Sequence, residues 1–134
     1  MIKITLIAGL PGSGKSFLGT EMAKNGSSFI DDISMIGIVP LENAIKKYEH
    51  IIIADVFLCE ERTRELAVKR LKSLGIKKKE IEWIFFENNP EKCLKNVERR
   101  DDGRKVKLLI EDLSKDYVIP VGAEVRTIWS EEII

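Results

Sequence analysis

Eight consecutive residues, Gly9-Leu10-Pro11-Gly12-Ser13-Gly14-Lys15-Ser16, read G-x-x-x-x-G-K-S directly after a segment carrying Ile2, Ile4, Leu6 and Ile7. Each residue type suits phosphate binding. Glycines let the backbone turn tightly and aim successive N–H groups inward, at angles a Cβ would forbid. Those N–H groups, with the helix they open, form an anion cradle. Lys15 can reach the β- and γ-phosphates, and the Ser16 hydroxyl is placed to ligate the Mg²⁺ that bridges them. The implied ligand is a nucleoside triphosphate, expected to be ATP, with Mg²⁺. Its candidate contacts are Gly9, Pro11, Gly12, Ser13, Gly14, Lys15, Ser16 and the first-turn residue Phe17. A chance glycine-rich turn would lack the context seen here, an apolar strand before the loop and Leu18, Met22 and Ala23 at helical spacing after it.

Three further groups could act on a bound triphosphate. Asp31 and Asp32 follow the short strand-like segment Ser28-Phe29-Ile30. Transfer of a phosphoryl group to a hydroxyl needs a carboxylate that orients the hydroxyl and takes its proton, and either acid is a candidate. Neighbouring residues leave a strand in opposite directions, so one of the pair is expected to do this; the alternative is that they cap the turn before Ile33. Asp55 ends the run His50-Ile51-Ile52-Ile53-Ala54, an apolar strand closing in an acid that can place Mg²⁺ or its waters, or else cap the following turn. Arg99, Arg100 and Arg104 flank a charged break between two late helices. There a lid could fold over the nucleotide, its guanidinium groups binding phosphate oxygens in pairs. The alternative is a solvated helix end paired with Asp101 and Asp102.

The elements that must hold these residues alternate along the chain. Apolar strands are expected at about 2–8, 28–30, 50–55, 81–86 and 124–129. Helices are expected from Lys15 to about Asn25-Gly26, from Pro40 through Tyr48, from Cys59 to Leu74, after Asn88-Asn89-Pro90, and from about Lys105 to Asp116. The segment from Ile33 to Val39 is expected as a loop, and Lys77-Lys78-Lys79 as a solvated turn. Such alternation implies an α/β fold with a parallel sheet, helices on both faces and right-handed crossovers. Trp83, Phe85, Phe86 and Trp129 are expected in the core, and the stretch Tyr117 to Ala123 as an adenine pocket.

With 134 residues, 44% hydrophobic and 33% charged, the chain fits one globular domain spanning 1–134. No tract is long or apolar enough to cross a membrane, and Met1 leads straight into a strand, so a cytoplasmic location is expected. Zero net charge gives no general attraction to nucleic acid or anionic lipid. Cys59, Cys93 and the single histidine, His50, lack metal-ligand spacing.

Taken with their order, these motifs resemble the small P-loop kinases of the phage 5′-polynucleotide kinase type and their zeta-toxin-like relatives. The loop at 9–16 matches, as does the double acid Asp31-Asp32 after the second strand. Ile52-Ile53-Ala54-Asp55-Val56-Phe57-Leu58 with Glu60, Glu61 and Arg62 resembles the third-strand segment, and Leu94-Lys95-Asn96-Val97-Glu98-Arg99 the lid. The resemblance implies a three-layer P-loop kinase-like fold with a five-stranded parallel sheet in the order 2-3-1-4-5. It also implies Asp32 as general base, Asp55 beside the acceptor or metal, and Arg99 on the transferred phosphate. Two departures stand out. The polynucleotide kinases carry an arginine shortly after the double acid that grips the acceptor phosphate, whereas Ile33, Ser34, Met35 and Ile36 stand here; the lid position often arginine is Lys95. Both leave the transfer machinery in place and weigh against a nucleic-acid acceptor. The expected activity is transfer of the ATP γ-phosphate to a polynucleotide 5′-hydroxyl, a nucleoside or nucleotide, or a small metabolite. The alternative is a nucleotide-binding ATPase or switch that has no acceptor.

Overall fold

A computed structural model describes residues 2–100 and 106–129. The chain runs β1 (Lys3–Ala8), α1 (Lys15–Ala23), β2 (Ser28–Asp31), α2 (Ile33–Ile36), α3 (Val39–Lys47), β3 (His50–Ala54), α4 (Glu61–Ser73), β4 (Ile81–Phe86), α5 (Pro90–Arg100), α6 (Lys107–Asp116) and β5 (Val125–Arg126). Single 3₁₀ turns lie at Val56–Cys59 and Lys78–Glu80. The five strands form one sheet in the order β2-β3-β1-β4-β5, every pairing parallel.

Strand chemistry explains the order. Ile4, Leu6 and Ile7 of β1 and Ile51, Ile52 and Ile53 of β3 are all buried, residues of both pleat faces alike. Strands so apolar are stable only when neighbours flank them and helices cover both faces. Because connections are right-handed, reversing direction across the sheet moves a helix to the other face, which sets α1 opposite α3 and α4. Helix α1 lies close against β2: a Cβ on Gly19 would run into the Phe29 ring, so only glycine fits there.

The connection leaving β1 runs by way of α1 toward β2, and that leaving β3 runs by way of α4 past β1 to β4, so the crossover direction changes between β1 and β3. A crevice therefore opens beyond the carboxyl ends of β1, β3 and β2. Into it run the loop after β1 and the two acids at the end of β2.

Two stretches differ from the sequence expectation. Ile33–Ile36 coils into one helical turn, because Asp32 enters it with left-handed angles (φ 52, ψ 51) and Gly37 leaves it with φ 86. The last strand shrinks to Val125 and Arg126, since it is an edge strand paired on one side only.

Candidate active site

The loop between β1 and α1 owes its shape to its glycines. Gly12 has φ +84, and a Cβ there would lie 2.5 Å from the Cys93 carbonyl oxygen of α5, so the loop and α5 approach as closely as backbone allows. The Ser13 N–H donates to the Leu10 carbonyl (3.1 Å), closing the turn, and Leu18 N–H to Gly14 (3.0 Å) begins the helical ladder. Lys15 is buried, and its Nζ donates to the Leu10 carbonyl (3.1 Å), so the ammonium is held over the loop that it serves. Burial pushes the Lys15 ammonium below its usual value, against the attraction of the Asp31 and Asp32 carboxylates.

Two acids close β2, and although neighbouring residues of a strand were expected to part, both line one pocket. Asp31 Oδ2 accepts a 2.5 Å hydrogen bond from Ser16 Oγ, tying the end of β2 to the start of α1. Asp32 follows with its backbone N–H on the Ala54 carbonyl (2.9 Å) and left-handed angles, the one non-glycine with positive φ among the described residues. Such angles cost an ordinary side chain about 1–3 kcal/mol and are found where the surrounding structure aims a group. Both acids line a pocket of about 300 Å³ with Pro11, Gly12, Gly14, Lys15, Ser16 and Ser34, and Arg100 closes its far side. Charge of both signs thus meets there: two carboxylates face one ammonium and one guanidinium.

Asp55 lies elsewhere. It is buried and does not line the pocket that holds Ser16. Its Oδ1 accepts from Phe57 N–H (2.8 Å) and its Oδ2 from Ser34 N–H (2.9 Å). The carboxylate caps the 3₁₀ turn after β3 and at the same time fastens that turn to the first residues of α2. Where the sequence suggested a place beside the metal, the geometry assigns it two backbone donors.

A second pocket, about 680 Å³, lies on the other side of the loop, lined by Gly12, Ser13, Gly14, Phe17, Asn96, Arg99, Arg100 and Trp129. Asn96 organises it. This buried amide donates from Nδ2 to the Gly12 carbonyl (3.0 Å) and to the Trp129 carbonyl (2.9 Å), while its Oδ1 accepts from Arg99 (3.2 Å). One side chain therefore joins the phosphate loop, the chain after β5 and an arginine of α5. Phe17 and Trp129, 73% and 63% exposed, present aromatic surface at this pocket.

This corrects the expected adenine pocket. The Tyr117 hydroxyl is spent on the Phe86 carbonyl (2.5 Å), and Pro120 to Ala123 line a groove with Trp83, Phe85 and Arg64 that contains no residue of the phosphate loop. Trp129, expected in the core, stands at the loop instead. The reason is that β5 ends at Arg126: Ile128 N–H then donates to Glu87 (2.9 Å) and the Trp129 carbonyl meets Asn96, which draws the chain back toward the loop. Asn96 and Trp129 carried no signal in composition or periodicity; only the fold brings them to Gly12. Arg104 falls outside the described residues. The buried thiols of Cys59 and Cys93 are both pushed up by burial to about 12, which keeps them protonated and unreactive.

The groups present suit Mg²⁺ with a nucleotide. Among the described residues no cluster of three or more histidine, cysteine or acidic side chains could hold a metal by itself. Ser16 and Asp31 do offer two hard oxygens side by side, and Mg²⁺ is commonly held by one or two protein oxygens plus substrate phosphates and water. No helix among the described residues is long and apolar enough to cross a membrane.

No family model matches the chain. Among solved structures, a gluconokinase from Sinorhizobium meliloti 1021 superposes with a TM-score of 0.67 at 14% identity, covering 96% of this chain and 83% of that one. Kti12 of Chaetomium thermophilum, in complex with ADP-AlF3, gives 0.63 at 16% identity over 97% of this chain and 91% of its own. These likenesses establish a P-loop kinase-like α/β fold. In sequence, Uncharacterized protein R277 of Acanthamoeba polyphaga mimivirus is 32% identical over 135 aligned residues, covering 95% of this chain and 97% of R277. The chain belongs to the same protein family as R277 of Acanthamoeba polyphaga mimivirus.

Proposed function

We propose that the chain is an ATP-dependent phosphotransferase that moves the γ-phosphate of ATP to an acceptor hydroxyl. The observation that carries this reading is that Asp31 and Asp32 both line one phosphate pocket. The first is bonded to Ser16 of the loop, and the second is held in left-handed backbone on the pocket's wall. A protein that only bound or hydrolysed ATP would need the first acid and not the second. The fold shared with a gluconokinase and with ADP-AlF3-bound Kti12 supports the same reading.

The loop amides of Gly12 to Ser16 and the Lys15 ammonium hold the β- and γ-phosphates. Ser16 and Asp31 would hold Mg²⁺, which supplies charge neutralisation across those phosphates when bound. Asp32 orients the acceptor O–H and takes its proton as the acceptor oxygen forms a bond to the γ-phosphorus. The bond from that phosphorus to the β,γ-bridging oxygen breaks, and its electron pair leaves with ADP. Arg99 and Arg100, at the end of α5, supply guanidinium groups that bear on the transferred phosphoryl group. The nucleobase lies against Trp129 and Phe17 in the second pocket.

Incubating the purified protein with γ-labelled ATP and a panel of alcohols tests the reading. Label should move to an alcohol in the wild type. In Asp32→Asn, transfer should fall by about 10²–10⁴, the contribution of a positioned base, with ATP binding retained. Label released only as inorganic phosphate, at equal rates in wild type and Asp32→Asn, would instead identify an ATPase or switch.

A further inference from the structure

Beside the phosphate pocket lies an apolar chamber of about 220 Å³ between the sheet and helices α3 and α4. Leu6 and Ile53 form its floor, Leu41 and Leu71 its walls, and the half-exposed Leu66 its mouth. The two cavities share one partition. Of its residues, Asp32, Val56 and Phe57 face the phosphate pocket, Ile33, Asp55 and Leu58 face the chamber, and Ser34 borders both. The two hydrogen bonds of Asp55, to Ser34 N–H and Phe57 N–H, pin the two halves of that partition together. The two cavities therefore meet at Ser34, which lines both, and the acid of the partition on the phosphate side is Asp32.

Resting on the kinase reading above, we propose that the chamber takes the body of the phosphoryl acceptor, and that the acceptor is a neutral alcohol whose body is apolar and about one ring in size. Volume sets the size. An apolar protein cavity of about 150 Å³ takes up benzene, so 220 Å³ accommodates one ring with the carbon that bears a hydroxyl. Lining chemistry sets the polarity. A sugar acid or phosphorylated acceptor would have to be desolvated against leucine and isoleucine, and the one cation of the lining, Arg70, is solvent-exposed at the rim. The buried acid, Asp55, already accepts two backbone N–H groups and disfavours an anion beside it.

The test uses three alcohols on the full chain with methyl-labelled isoleucine and leucine: benzyl alcohol, mandelate, which adds a carboxylate to the same ring, and erythritol, which has hydroxyls and no ring. Benzyl alcohol should shift the methyl resonances of Ile33, Ile53, Leu66 and Leu71. It should bind about tenfold or more tighter than erythritol, as expected from burying one ring, and tighter than mandelate. Ala67→Phe, which fills the chamber from α4, should abolish those shifts and the transfer of label to benzyl alcohol, with ATP binding unchanged. If that variant does not fold, Leu66→Glu at the exposed mouth should weaken benzyl alcohol binding without entering the core. Erythritol or mandelate binding as well as benzyl alcohol, or methyl shifts unaltered in the variants, would overturn the proposal. If benzyl alcohol shifts these methyls but no alcohol receives label, the acceptor assignment falls together with the kinase reading, and the shifts then locate an apolar ligand site.

Discussion

Gly12 and Asp32 both depart from ordinary backbone angles, for different reasons. At Gly12 the positive φ coincides with a close approach: a Cβ would sit 2.5 Å from the Cys93 carbonyl, which belongs to the backbone of α5 and cannot rotate away. Gly26 has a similar φ of +95, and nothing lies within 4 Å of the place a Cβ would take. Comparing alanine at the two sites separates strain from crowding. Gly26→Ala should cost about 1 kcal/mol in chemical denaturation, the strain of a left-handed alanine. Gly12→Ala should cost more than that and lower ATP affinity by at least tenfold, because α5 or the loop must shift. Equal losses at the two glycines would show that the contact with α5 is unimportant. Asp32 is the converse case. Aspartate and asparagine both tolerate left-handed angles, so Asp32→Asn keeps the backbone while removing the base. A variant that melts within a degree or two of wild type yet transfers phosphate about 10²–10⁴ more slowly would tie the left-handed angle to chemistry rather than to folding. Substitution by alanine would confuse the two effects.

At the scale of elements, α5 is the piece that ties the loop down, since its Asn96 joins Gly12, the Trp129 segment and Arg99. Removing the amide with Asn96→Ala leaves the Gly12 carbonyl without its donor, which should destabilise the protein by about 1–3 kcal/mol. Asn96→Asp should do worse, because it places an acceptor against two carbonyl oxygens. Trp129 reports on the outcome: its fluorescence should change on adding ATP in the wild type, and that change should be lost in Asn96→Ala even at saturating nucleotide. A change retained at full amplitude would mean that Asn96 does not position the segment. The same helix shows where sequence was legible and where it was not. The phosphate loop and the double acid were readable because glycine spacing, apolar runs and terminal acids are local signals; the strand order came from the family resemblance, since no local signal records which strands pair. Asn96 was read only as part of a lid-like segment, and its role at the loop was not legible, because its partners Gly12 and Trp129 lie 84 and 33 residues away. Trp129 was misplaced because an aromatic residue in an apolar stretch fits a core strand, and the length of an edge strand depends on partners that periodicity does not record. Asp55 was readable as a strand-ending acid; its attachment to Ser34, 21 residues away, was not.

The molecule as a whole divides its polar residues between the two ends of the sheet. Reactive groups gather at the carboxyl ends of the strands, whereas the opposite end carries a row of hydrogen bonds that crosses β3, β1 and β4. The fully buried Thr5 donates to Glu82 Oε1 (2.6 Å) and lies 2.8 Å from His50 Nε2; Lys3 pairs with Glu82 (3.2 Å), and Ser27 lies 3.2 Å from His50 Nδ1. Because this row is far from the phosphate loop, it should govern stability without governing nucleotide binding. Burial, helped by Lys3 and opposed by Glu82, pushes His50 below its ordinary 6.5. The folded protein therefore resists protonating His50, and that contribution is complete above 6.5 and lost as pH falls from 6.5 through the lowered value. For Glu82, burial acts upward but is outweighed by the Thr5 hydroxyl and Lys3, so its value lies below the ordinary 4.5. Its contribution is complete above 4.5 and lost as pH falls through the folded value. Melting temperature should accordingly decline in two stages on acidification, and His50→Gln should remove the earlier one. Thr5→Val, which keeps the shape and deletes both hydrogen bonds, should destabilise by about 1–3 kcal/mol and flatten the later stage, since Glu82 loses its buried donor. ATP affinity at neutral pH should stay within about twofold of wild type in both variants, the usual independence of sites that share no partners. A fall in affinity that tracks the loss of stability would mean that the two ends of the sheet are coupled through β1, the strand that carries Thr5 and leads into the phosphate loop.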